Sequence, residues 1–144
     1  MRKLIYLLFV ISLIACEKDE STHLSPAIIF SSISPAIAQE YSDSILIIIS
    51  YIDRDGDLGE NNPDIHNLFV QDNRNDIEYK YRIPELSPSG SVISIQGTFI
   101  IKINGTGITD ESSSQQVNYT IYVKDRAGNS SNTVSTSSIT IEQQ

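Results

Sequence analysis

Val117-Asn118-Tyr119-Thr120-Ile121-Tyr122-Val123-Lys124 places apolar or aromatic side chains at every odd position and mostly polar ones at the even positions. Successive side chains of an extended chain point to opposite faces, so this period of two is the pattern of a strand with one face in a core and the other toward water. A helix would need its apolar residues at i, i+3, i+4 and i+7, and no window of eleven or more residues after position 16 keeps that stripe. The chain is therefore expected to be all-β.

Working outward, other candidate strands recur at short intervals between clusters of Gly, Pro, Asn, Asp and Ser. Ala27–Ile33 lies between Pro26 and Pro35, which suggests an edge strand, since proline cannot donate to a ladder. Asp43–Ile52 centres on Ile45-Leu46-Ile47-Ile48-Ile49, apolar on both faces and so expected in the middle of a sheet. Asn67–Gln71 and Ile77–Arg82 follow, and Pro84 and Pro88 then mark a loop ending at Gly90. Val92–Ile103 supplies one long strand or two, with Gly97 expected to form a bulge or break. In Thr133–Ile141 the apolar phase shifts between Val134 and Ile139, which again implies a bulge. About seven strands in this length predict an antiparallel β-sandwich with a single core.

The stretch Tyr122-Val123-Lys124-Asp125-Arg126-Ala127-Gly128-Asn129-Ser130-Ser131-Asn132-Thr133-Val134 resembles the last hairpin of bacterial immunoglobulin-like domains, where a D-x-A-G-N-x-S-N turn joins the final two strands. The resemblance covers about a tenth of the chain and implies an immunoglobulin-like sandwich over 26–144. Gly128 and Asn129 can take the positive φ of such a turn, and Asp125 and Asn132 can satisfy its backbone groups. Tyr119 is read either as a tyrosine corner or as an ordinary core tyrosine.

The chemically loaded segment is Asp53-Arg54-Asp55-Gly56-Asp57-Leu58-Gly59-Glu60-Asn61-Asn62-Pro63-Asp64. Oxygen-bearing Asp53, Asp55, Asp57, Asn61 and Asp64 at positions 1, 3, 5, 9 and 12 have the spacing with which a coiled loop wraps Ca²⁺. The loop resembles the D-x-D-G-D-x-G calcium loops of surface lipoproteins and of thrombospondin-type and dockerin-type repeats. It departs from the EF-hand, because Leu58 stands where that motif has glycine, position 12 is Asp rather than Glu, and the flanks are strands. Five carboxylates against Arg54 leave the segment with a net charge of −4. The competing reading is a solvated turn in which Gly56 and Gly59 bend the chain. In a sandwich the loop after the second strand and the loop before the last share one end, so Asp125 is expected to complete the site.

At the other extreme, Met1-Arg2-Lys3 precedes a twelve-residue apolar run, Leu4–Ala15, then Cys16 and Glu17-Lys18-Asp19-Glu20. The run is too short for a membrane span of about 20 residues and has the form of a signal-peptide core. Leu13-Ile14-Ala15-Cys16 resembles the lipobox of bacterial lipoproteins, which implies cleavage after residue 15, a diacylglycerol on Cys16 and an acidic tether over 16–25. Loss of Arg2 and Lys3 takes the formal charge from −8 to −10. The acidic run behind Cys16 resembles the export signal of Bacteroidetes-type lipoproteins, which implies display on the outer membrane facing the cell exterior. Asp43-Ser44-Ile45 resembles the O-glycosylation triplet of the same group, with Ser44 as the acceptor.

A charge of −8 offers no clustered cations for a phosphate backbone, so no nucleic-acid partner is expected. One Cys excludes an internal disulfide and a Cys-based zinc site. No nucleophile or metalloprotease motif accompanies His23 or His66, and no enzyme is expected. The expected function is a lipid-anchored binding or structural module stabilised by calcium, with an unidentified protein or glycan partner. The alternative is a carbohydrate-binding lipoprotein for glycan capture, which without Trp would depend on Tyr41, Tyr51, Tyr79, Tyr81 and Tyr122.

Overall fold

The computed structural model describes residues 25–144. Cys16, His23, the leader over 1–15 and the tether up to residue 24 lie outside the described residues. The described chain contains no helix and forms ten strands: β1 (Ala27–Ser34), β2 (Ile37–Gln39), β3 (Ser44–Asp53), β4 (Leu68–Asp72), β5 (Glu78–Tyr81), β6 (Ile95–Asn104), β7 (Ser114–Val117), β8 (Tyr119–Val123), β9 (Val134–Ser135) and β10 (Ile139–Glu142).

One layer is the antiparallel sheet β1-β3-β6. The all-isoleucine centre of β3 is central in it, as its composition implies, and β1, flanked by prolines, is an edge. The other layer is built from β5-β4-β8-β9 and β2-β10-β7. These two groups are continuous along the final hairpin: Thr120 pairs with Ser135 and Val117 with Ile139. Between those rungs, Thr136 N–H donates to the Tyr119 carbonyl at 2.9 Å. The register on the two sides differs by one residue, so the last strand carries one extra residue near Ser137 and Ser138, the bulge that the phase shift implies. After the cis Ser34–Pro35 peptide, β2 joins the second layer by pairing parallel with β10.

Side chains from both layers fill the space between them. Ile28, Ile45, Ile47, Ile49, Ile101 and Ile103 come from one side, and Leu68, Val70, Val117, Tyr119, Ile121, Val123, Ile139 and Ile141 from the other, all buried. Tyr119 is fully buried, and its hydroxyl lies 3.4 Å from that of Thr106, in the loop after β6. Burial pushes its pKa up to about 12.

Gly97 produces neither a bulge nor a break, because β6 pairs with β3 without interruption from Ile95 to Asn104. A Cβ at Gly97 would sit 2.8 Å from the Tyr51 hydroxyl, and the Tyr51 ring stacks on Phe99 at 4.3 Å between centroids. The glycine makes room for a cross-strand ring. The bulge in this sheet falls in β1, between Phe30 and Ser32.

Two asparagines act as short pieces of strand. Asn132 accepts from the Ile28 N–H and donates to the Ile28 carbonyl, both at 2.9 Å. Asn67 does the same for Ile83, at 2.6 and 3.1 Å. An amide side chain presents one acceptor and two donors, so it can satisfy a backbone position where no strand passes.

Candidate metal centre

Inward positions of β3 are the odd ones, and the last of them is Asp53, fully buried. Its Oδ2 accepts from the Leu58 N–H at 2.7 Å, which folds the following residues back over it. Gly56 (φ +77°) and Gly59 (φ +103°) supply the left-handed bends. Buried Leu58 bridges to Asp125, and so pins this loop to the turn between β8 and β9.

Three segments meet at this end of the sandwich. The Asp57 carbonyl accepts from Arg126 N–H at 3.2 Å, and Asp57 Oδ2 accepts from Ala127 N–H at 3.1 Å. The Arg126 guanidinium donates to the carbonyl of Gly59 at 2.9 Å and lies 3.7 Å from the Glu85 carboxylate. From the segment between β5 and β6, the Ser87 hydroxyl donates to the Gly56 carbonyl, and Glu60 N–H donates to the Ile83 carbonyl at 2.9 Å. Ser87 and Glu85 belong to no motif and Arg126 occupies a variable position of the D-x-A-G-N turn, so nothing in the sequence singles them out.

One carboxylate oxygen each from Asp53, Asp55 and Asp57 lies within 4.8 Å of the other two. The Oδ1 atoms of these three residues are buried and have no hydrogen-bond partner. Leaving buried charged acceptors without donors is expensive, and the cost appears in the acidity of Asp53 and Asp57. Burial, the facing Asp55 carboxyl and the charge of Asp57 push the Asp53 pKa up to about 6, against the opposing Leu58 N–H. Asp57 is also raised, by burial and then by Asp125 and Asp55, against the Ala127 N–H and Arg126.

The remaining site residues named from sequence do not join this cluster of three. Asp125 is close enough to act on Asp57, but both its oxygens accept from Asn129, at 2.7 Å from the backbone N–H and 2.9 Å from Nδ2. Asn61 donates its side-chain amide to Glu85. Asp64 is exposed, with its N–H in a local turn on Asn62 Oδ1 at 3.0 Å. Ser44 lies at the opposite end and donates to Asn104 Oδ1 at 2.9 Å. Exposed His66 belongs to no cluster of metal-ligating side chains among the described residues.

The donor set fits calcium. Ca²⁺ takes six to eight oxygens at about 2.3–2.6 Å, so oxygens sharing one ion lie no more than about 5 Å apart, and the three carboxylates meet that limit. Zinc sites are built chiefly on Cys and His, and this cluster contains neither. The loop is also sterically committed. A Cβ on Gly56 would stand 2.1 Å from the Ile93 carbonyl oxygen, whereas one on Gly90, at φ +82°, would meet nothing within 4 Å. Gly56→Ala is expected to cost about 2–4 kcal/mol, from left-handed strain plus displaced backbone, and Gly90→Ala about 1–2 kcal/mol from strain alone. Urea unfolding of both variants compares them, and equal costs would show that the loop contact contributes nothing.

No family model matches the chain, and neither curated proteins nor solved structures give a match. Fold and site together define an all-β sandwich with an acidic loop docked at one end.

Proposed function

We propose that the protein is a lipid-anchored, surface-displayed, non-catalytic binding or structural module, one end of which is held rigid by Ca²⁺ in the Asp53–Asp57 loop. The observation that carries the calcium reading is the fully buried Asp53 carboxylate, with an oxygen lacking any donor and two further unpartnered carboxylate oxygens within one ion's reach. Asp53, Asp55 and Asp57 would hold the ion, and Ca²⁺ would supply positive charge at the three unpartnered oxygens. The anchor reading is supported by the short apolar run ending at Cys16.

The glycan reading draws less support. Tyr51 and Tyr122 are stacked on Phe99 and Phe69, and the Tyr81 hydroxyl donates to the Lys102 carbonyl at 3.1 Å. Tyr79 is half-buried, so Tyr41, 70% exposed, is the ring of the five most open to a sugar. Titration calorimetry is expected to show one calcium per chain, lost in the Asp55→Asn/Asp57→Asn variant while the β-sheet circular dichroism is retained. Absence of a calcium heat in the unaltered protein overturns the metal reading.

A further inference from the structure

The described chain begins at the end of the sandwich that holds the acidic loop. Ala27 and Ile28 pair with Ile52 and Tyr51, immediately before Asp53, and Asn132 clamps Ile28 from the neighbouring turn. The segment between β5 and β6 reaches the same end, because Ile95 pairs with Asp53 and the Ile93 carbonyl packs against Gly56. From Leu86 to Ile93 this segment contains no charged residue. Its tip turns through a 3.0 Å hydrogen bond from Ser91 N–H to the Pro88 carbonyl and then presents Val92, 82% exposed, and Ile93, 49% exposed. Ile29 and Ile52, exposed on the adjoining sheet face, border a shallow groove of about 280 Å³ beside Ala27.

We propose that this end faces the membrane and that Val92 and Ile93 rest in the interfacial layer of the lipid bilayer, a second contact beside the acyl chains on Cys16. The inference rests on the lipid-anchor reading. Residues 16–24, fully extended, reach only about 30 Å, so the root of the tether stays near the lipid. Two aliphatic side chains are worth too little to bind a vesicle from solution, at about 25 cal/mol per Å² of buried apolar area. On a tethered domain the contact is intramolecular, and the effective concentration of surface is of millimolar order, enough to populate it. An uncharged tip pays no penalty for leaving water with a charge.

The chain contains no Trp, so a single introduced indole is an unambiguous reporter. Val92→Trp and, at the opposite end, Tyr41→Trp are made in the full acylated protein and reconstituted with calcium into phosphatidylcholine–phosphatidylethanolamine vesicles. The V92W emission is expected to shift to the blue and to be largely lost to doxyl-labelled lipid, while Y41W is quenched by aqueous iodide and unchanged by the labelled lipid. If the protein fails to sediment with the vesicles, the anchor reading fails and this proposal falls with it. If it sediments but V92W is as open to iodide as Y41W, the orientation is wrong while the anchor stands. Shielding of V92W from iodide without doxyl quenching assigns the loop to a second protein surface and also overturns the lipid contact.

Discussion

Asp72→Ala is expected to destabilise the domain by about 3–5 kcal/mol, the usual cost of stripping one partner from a buried ion pair. Asp72 and Arg74 are side chains with 1% and 10% exposure, joined by two hydrogen bonds, from Arg74 Nη2 at 2.7 Å and from Nε at 3.0 Å. The guanidinium also donates to the Gly107 carbonyl at 3.0 Å and to Gln115 Oε1 at 2.7 Å, and so ties the β4–β5 hairpin to the loop after β6. Without Asp72 the cation stays buried with two neutral acceptors. For a domain of this size the loss corresponds to a fall of roughly 10–20 °C in melting temperature. Arg74→Lys should lie between the two proteins, since an ammonium keeps the charge but cannot reproduce the planar fork. A urea midpoint for Asp72→Ala within about 1 kcal/mol of the unaltered protein would show that the pair contributes only what an exposed one does.

Calcium at about a hundred times its dissociation constant is expected to stabilise the fold by about 2.7 kcal/mol, or roughly 10 °C in melting temperature, and the effect should depend on pH in a specific direction. Without metal, Asp53 keeps its proton up to about pH 6, against an ordinary value of 3.8. Between those values the folded protein binds more protons than the unfolded chain, so its stability falls as pH rises. The contribution is fully present below the ordinary value and lost as pH climbs through about 6. Calcium acts in the opposite sense, because protons compete for the same oxygens. Melting temperatures in Ca²⁺ and in EDTA should therefore converge toward about pH 4.5 and separate above pH 6. Parallel curves across that range would place any bound calcium away from Asp53.

Much of this was legible from residue order, for identifiable reasons. Alternation around Tyr119–Val123 located β8 because one of its faces is buried, and the run Ile45–Ile49 located a central strand. The strands that escaped notice, Ile37–Gln39 and Ser114–Val117, are short, and the second reads Ser-Gln-Gln-Val, with a single apolar residue. Their pairing is decided by β10, distant in sequence, rather than by their own pattern. Gly97 misled because a glycine in a strand has two uses, bulge and close approach, and only the position of Tyr51 selects between them. At the acidic loop, Asp53, Asp55 and Asp57 followed from spacing. Asn61 and Asp64 did not join them, since Glu85 engages the first and the chain turns the second outward. Arg126 was invisible because its role is to donate to loop carbonyls at contacts 67 and 70 residues away in sequence.

The parallel pairing of β2 with β10 has a mechanical consequence. β1 begins at the end that holds the acidic loop and β10 runs away from it, so a pull between Ala27 and Glu142 slides β2 and β10 lengthwise past each other. The rungs Ile37–Thr140, Ala38–Ile141 and Gln39–Glu142 then bear the load together in shear, where an antiparallel hairpin pulled from its open ends would release its rungs one at a time. Under such a pull the domain would yield at this three-rung patch as a unit, which makes a short strand the tensile fuse of the fold.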